Sequence, residues 1–255
     1  MAGTVSARLR LLALCSIAVF ASLLFALPSA QAYLTDTIED ETIVEGYEPI
    51  PPRLSPEQEN ELSQIKEPKL SPEQIKAILE QYLYVDPHRT IPRVLLDKAL
   101  VFYHVNKPYL PNPNYLSIIN FSLHSSEPRF YIIAMATGEV SALHVAHGTG
   151  SDPNSTGYAT RFSNKPGSHQ SSLGFYRTAE TYFGKHGYSL RLDGLSDTNS
   201  NARARAIVIH GASYVQDKNV KQGRSWGCPA VSMAQRTKVI DMLKEGSLIY
   251  AGLEK

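Results

Sequence analysis

The chain has 255 residues, with 25 Lys and Arg against 24 Asp and Glu and a formal net charge of +1. So even a balance, without any run of Lys or Arg, argues against nucleic acid as a partner. The length suits one good-sized domain with an appendage.

The first element is a targeting segment. Arg8 and Arg10 precede an apolar run over residues 11–27, and Ala30-Gln31-Ala32 supplies a small-x-small cleavage site. The run is shorter than the roughly 20 apolar residues a membrane span needs, and Pro28 ends it. Residues 1–32 are therefore read as a signal peptide, which predicts an exported protein of the periplasm or cell envelope with no membrane span after removal. Cys15 leaves with the signal, so the mature chain keeps a single thiol, Cys228. A lone thiol in an oxidising compartment is an inert buried side chain, an intermolecular link or a reactive nucleophile.

Residues 33–90 form an acidic leader followed by a short helical segment. Asp36, Glu39, Asp40, Glu41, Glu45 and Glu48 concentrate negative charge there, while the remainder is modestly basic. Leu54-Ser55-Pro56-Glu57-Gln58 recurs as Leu70-Ser71-Pro72-Glu73-Gln74, and each copy reads as a helix start: Ser at the N-cap, Pro at the first turn and Gln three after the cap. A third helix is predicted over 92–106. Short apolar segments divided by turn residues then predict strands over 115–121, 130–136, 140–146, 172–178, 189–192 and 206–210. Residues 148–174, rich in Gly, Ser, Asn and Pro, read as a long loop. Ser232-x-x-Gln235 opens a last helix, closed by Gly246 ahead of a strand over 247–251.

The chemistry-bearing residues concentrate at 207–212 and 223–231. His210 ends an apolar strand, which is a rigid mount for a general base, and Gly211 lets the chain turn beside it. A histidine within hydrogen-bond reach would favour the thiolate of Cys228. Gly227 allows close approach of a carbonyl, and the amides of Gly227 and Cys228 could form an oxyanion hole. His144-x-x-His147 invites a zinc reading, but residues three apart on a strand point to opposite faces, so no metal is expected. His147 is then a cleft-lining residue or a strand terminator. Arg224 reads either as a charge that steers a peptide carboxylate or as a solvated loop charge, and Trp226 walls the cleft or fills core. Ser172 is a weaker substrate-binding candidate.

His210 and Ser225-x-Gly227-Cys228 resemble the L,D-transpeptidase catalytic-domain family of the YkuD type, whose signature is a His followed by Ser-His-Gly-Cys. The stretches 162–168, 171–176 and 184–190 are similar to its murein L,D-transpeptidase branch, and the likeness spans about residues 92–251. The resemblance implies a mainly β catalytic domain over 91–255, a sheet or sandwich with peripheral helices, needing no cofactor. It implies that Cys228 is the nucleophile, His210 the base oriented by the carbonyl of Gly211, and peptidoglycan stem peptides the substrates. Ser225 and Trp226 fall in the signature, but Trp226 replaces its His, and Pro229-Ala230 stands where an apolar residue and Arg are common. Donor recognition and the acceptor, whether a stem-peptide amine, an envelope protein or water, stay open at this point. The alternatives are an L,D-carboxypeptidase or cross-link endopeptidase acting through the same thioester, and a non-catalytic peptidoglycan-binding protein with an idle thiol.

Overall fold

The structure is a computed structural model that describes residues 50–254. The predicted signal segment and most of the predicted acidic leader lie outside the described residues, and no described helix is long and apolar enough to cross a membrane.

The repeated Ser-Pro-Glu-Gln motif builds the first two helices, α1 (Pro56–Gln64) and α2 (Pro72–Glu80). In each, the cap Ser Oγ accepts the Gln N–H at 3.3 Å, and the Gln side chain accepts the Ser N–H at 2.9 Å in α1 and 2.8 Å in α2. Two orphan amides per helix are thereby satisfied. Helix α3 (Arg93–Asn106) follows and is buried along most of its length. Asn106 holds the preceding segment to it, its side chain accepting Lys66 N–H (2.9 Å) and donating to Lys66 O (3.0 Å). Ile65, Ile78, Tyr82 and Val85 join the same apolar cluster as α3, so residues 65–85 pack onto the main body.

Ten strands follow: β1 (Tyr115–Asn120), β2 (Phe130–Ala134), β3 (Val140–Leu143), β4 (His147–Gly148), β5 (Gly174–Gly184), β6 (Gly187–Gly194), β7 (Val208–Ala212), β8 (Arg224–Ser225), β9 (Ala230–Ser232) and β10 (Leu248–Gly252). Eight make one mixed sheet in the order β3-β2-β1-β10-β5-β6-β7-β9, while β4 and β8 pair separately. The mainly β architecture with peripheral helices is therefore realised as a single sheet with a small second ribbon. Alternation along β1, β2 and β10 sorts side chains to two faces. Leu116, Ile118, Tyr131, Ile133, Leu248 and Tyr250 meet α3, whereas Ile119, Phe130, Ile132, Ile249 and Ala251 meet Val239, Ile240 and Leu243 of α4 (Arg236–Leu243). Phe102 stacks on Phe175 at 3.7 Å, tying α3 to β5. Each such fully buried side chain stabilises the fold by about 1.5–3 kcal/mol.

Two elements depart from expectation. Strands β5 and β6 form one long hairpin whose turn is Lys185-His186, where residues 179–188 had no assigned structure. The hairpin carries a register shift between Thr178 and Thr181. An ionic network stiffens it: Arg203 binds Asp193 (2.5 Å) and Glu180 (2.8 Å), Arg191 meets Glu180 at 3.2 Å, and Arg191 covers the Tyr182 ring at 3.9 Å. The last helix begins at Arg236 rather than just after Ser232. Ser232 belongs to β9 and donates to Asp217 (2.8 Å), so its weak contact from Gln235 N–H (3.3 Å) closes a turn instead of capping the helix.

Candidate active site

Strand β7 lies between β6 and β9 and is buried throughout; His210 is its third residue of five, inside the strand and not at its end as the sequence suggested, because Gly211 and Ala212 continue the pairing with β9. The imidazole Nδ1 lies 3.0 Å from the carbonyl of Gly211. A carbonyl only accepts, so Nδ1 carries the proton and the neutral ring presents Nε2 as its basic nitrogen. His186 lies flat against it, with ring centroids 4.1 Å apart and planes 19° from parallel. Burial first, then the positive neighbours His186 and Lys185, push the His210 pKa down to about 4 against the opposing pull of the Gly211 carbonyl. His210 is therefore uncharged at neutral pH.

Cys228 sits in the loop between β8 and β9. Strand β9 runs parallel to β7 with Ala230 opposite His210, so the thiol lies two residues upstream of the histidine's partner in register. The loop is tied by Ser225, whose Oγ donates to Cys228 O (2.7 Å) and accepts Gly227 N–H (3.1 Å). The Gly227 amide proposed for an oxyanion hole is thus engaged within the loop. Gly227 adopts φ +119°, and a Cβ there would meet Gln170 O at 2.6 Å, so the position requires glycine for backbone contact with the long loop. The Cys228 thiol is half-buried and donates to Ala206 O at 3.6 Å. Ala206 itself holds a left-handed φ of 52°, an unfavourable setting for a non-glycine that aims its carbonyl at the sulfur.

Arg205, which the sequence reading did not single out, is the main tie of the long loop. Its guanidinium donates to Ser163 O (2.7 Å), Ser172 Oγ (2.7 Å), Ser168 Oγ (3.3 Å) and Gln170 O (2.5 Å). Burial lowers its pKa, opposed by the nearby Tyr176 and Cys228. The signal available in the sequence is a basic residue in the turn before the apolar strand that carries His210, which by itself is common.

Of the proposed substrate contacts, Ser172 and Ser225 are buried on the Arg205 and Cys228-loop hydrogen bonds just described, and neither lines the open cleft. His147 has no exposed surface. Arg129 donates to its Nδ1 at 2.7 Å, which places the ring proton on Nε2, 3.5 Å from Asp152 Oδ2. Burial and Arg129 together lower the His147 pKa to about 4. For Asp152, burial alone would raise the pKa, but donors from Thr156 and Gly157 outweigh it and hold the carboxyl at about 2. His147 thus belongs to a buried ionic cluster that fixes β4. Arg224 pairs with it in register across β4 and β8 and donates to Asp152 O, so its charge is turned to the backbone. His144 faces elsewhere, onto Ser126 O (3.0 Å) and Asn219 Oδ1 (3.1 Å). Among the described residues no group of three or more His, Cys, Asp or Glu is arranged to hold a metal.

Trp226 is the exception, 65% exposed beside Cys228. Its indole stacks on His169 of the long loop (4.6 Å, 5°) and carries Lys185 Nζ of the hairpin turn 5.4 Å from the ring centre. Beside this sandwich lies an open cleft of about 300 Å³, lined by Lys185, His186, Gly211, Ala212, Ser213, Tyr214 and Met233. Burial and then the charge of Cys228 push the Tyr214 pKa up to about 12, so its hydroxyl stays protonated.

The family model described as L,D-transpeptidase catalytic domain matches residues 88–251. No curated protein sequence matches the chain. Among solved structures, an L,D-transpeptidase from Mycobacterium smegmatis aligns with a TM-score of 0.35 at 12% identity, covering 55% of this chain and 58% of that one. L,D-transpeptidase 1 of Mycobacterium tuberculosis aligns at 0.31 and 13%, covering 55% and 61%. The helical cell shape determining protein Pgp2 from Campylobacter jejuni aligns at 0.32 and 13%, covering 55% and 48%. The chain therefore spans about half to three fifths of the length of these three proteins. With more than half of its residues matched by the family model, the chain belongs to the L,D-transpeptidase catalytic-domain family.

Proposed function

We propose that this protein is exported to the cell envelope and transfers acyl groups between peptidoglycan stem peptides through a thioester on Cys228. His210 Nε2 takes the thiol proton as sulfur attacks the donor carbonyl, the tetrahedral intermediate collapses, and the released amine of D-alanine carries that proton away. An acceptor amine then attacks the thioester, forming the cross-link and returning a proton to the sulfur. The observation that carries this reading is the Nδ1 hydrogen bond of His210 to Gly211 O, which leaves Nε2 as the base. The pairing of Ala230 with His210 across β7 and β9, two residues after Cys228, supports bringing the two side chains to one end of the sheet. Because His210 is neutral, the resting pair is thiol and imidazole, with proton transfer coupled to attack rather than preceding it.

Intact-mass measurement on the mature protein incubated with tetrapeptide muropeptides tests the proposal. The expected result is an adduct of the stem minus D-alanine, absent in Cys228→Ala; product formation retained in that variant rules the mechanism out. The cleft beside His186 and Gly211 is open enough to admit water, which favours hydrolysis as the second reading. A cross-linked dimer against a shortened stem separates the two.

A further inference from the structure

Ser171, in the long loop, is buried and has each of its polar atoms engaged. Its N–H donates to Ser151 Oγ (2.9 Å) and its carbonyl accepts Ser163 N–H (3.1 Å), which fixes the backbone. Its Oγ accepts Gly148 N–H from β4 at 3.1 Å. A hydroxyl carries one hydrogen, and here it is directed at Gly227 O, 3.3 Å away in the Cys228 loop. On the other side, Ser225 Oγ accepts Gly227 N–H and donates to Cys228 O. Gly227 N–H, Gly227 O and Cys228 O are therefore held by two serine hydroxyls from two different segments. In a trans peptide the carbonyl and the following N–H point in opposite directions. Fixing Gly227 O toward Ser171 thus turns Cys228 N–H the other way, away from the long loop. Gly227, at φ +119°, reaches this arrangement without a Cβ striking Gln170 O. Gly148 N–H, Ser171 Oγ–H and Gly227 C=O form a chain that ends on the Cys228 amide, and bonds in such a chain polarise one another.

We propose that Ser171 is a positioning residue for acylation: through Gly227 O it aims and polarises the Cys228 N–H as hydrogen-bond donor to the oxyanion formed when the Cys228 sulfur attacks a carbonyl. The inference rests on Cys228 being the nucleophile, but not on the substrate being peptidoglycan. As sulfur adds to the carbonyl carbon, the C=O pair moves onto oxygen and the thiol proton passes to His210 Nε2. The Cys228 N–H meets that oxygen. Its donation draws charge onto Gly227 O, where the Ser171 O–H bond strengthens in response. Collapse restores the C=O and expels the leaving group with its bonding pair. At 3.3 Å the Ser171 contact is long in the resting loop, so it has room to shorten as that charge develops. Gly227 N–H is tied to Ser225, so of the two amides expected to form an oxyanion hole the Cys228 one carries the role.

The test compares two reactions of the same sulfur. Acetylation by p-nitrophenyl acetate passes through an oxyanion, whereas alkylation by iodoacetamide displaces iodide and forms none. Both are followed by intact mass on the mature protein, with Cys228→Ala as the blank. Ser171→Ala is expected to slow acetylation about tenfold or more and to leave alkylation within about twofold. Ser171→Thr and Ser171→Val match each other in shape and differ in the hydroxyl. The ratio of the two rates should be kept in the first and lost in the second, which decides the matter even where the alanine variant does not fold. Ser172→Ala loosens the same loop at Arg205 and should leave the ratio unchanged. Equal losses in both reactions, or no loss in either, overturn the proposal. The two readings fail separately. Ser171-dependent acetylation of Cys228 in a protein inert to muropeptides removes the transpeptidase assignment alone, whereas a muropeptide thioester with a Ser171-independent ratio removes the Ser171 assignment alone.

Discussion

His186 covers His210 at 4.1 Å and, with Lys185, is one of the positive neighbours that keep its pKa near 4. His210, the proposed base, should therefore remain neutral well below the usual histidine range. The acid limb of the acylation rate is expected to fall near pH 4–5 rather than 6.5. In His186→Ala both the charge and the cover are lost, so that limb should move up by roughly one pH unit. Single-turnover acylation rates between pH 4 and 8 check this; an unmoved limb would mean that His186 does not tune the base.

Gly227→Ala places a methyl 2.6 Å from Gln170 O at a φ of +119°. Backbone cannot retreat as a side chain would, so the loop must shift. A loss of about 2–3 kcal/mol in stability is expected from the strain and the lost Ser225 contacts. Thioester formation should fall by more than tenfold. Chemical denaturation and intact-mass kinetics on the same sample measure both effects.

Arg205 ties Ser163, Ser168, Gln170 and Ser172 to the segment whose next carbonyl, Ala206 O, accepts the Cys228 thiol. Arg205→Gln should free the long loop and remove a cation near the sulfur. The pH midpoint of Cys228 alkylation by iodoacetamide is expected to move upward, and protease cleavage within residues 163–172 to become faster. Arg205→Lys keeps the charge without the fork, so it should restore the alkylation profile but not the protection. If neither property changes in Arg205→Gln, the assignment fails.

Acid stability follows from the two buried imidazoles. His147 and His210 both have folded pKa values near 4, below the 6.5 of an exposed histidine. The unfolded chain then binds more protons between those values, so stability is fully present above pH 6.5 and is lost as pH falls toward 4. The loss should be on the order of 2 kcal/mol per histidine. Thermal melts across pH 4–7 should show a decline that is shallower in His147→Gln, itself destabilised because Arg129 loses a buried partner. A pH-independent melting temperature over that range would contradict the burial of both rings.

Much of this molecule is written locally. The Ser-Pro-Glu-Gln capping boxes, the α3 stripe, the alternation in β1, β2 and β10, and the placement of His210 on an apolar strand depend on periodicity and on contacts three or four residues apart. The sequence therefore carries them within single segments. The lone thiol and its neighbouring glycine are legible for the same reason, as a motif over four residues.

What only the tertiary structure decided is where the charges point. Arg224 and His147 looked like cleft residues, yet a buried Asp152, brought from the long loop, draws both inward. Lys185, His186 and Arg205 gain their significance only when a hairpin turn and a pre-strand turn fold against residues 24 to 42 positions away. Periodicity reports which face of its own element a side chain occupies. It does not report which distant element faces it, and a charge of low intrinsic specificity takes its role from that partner.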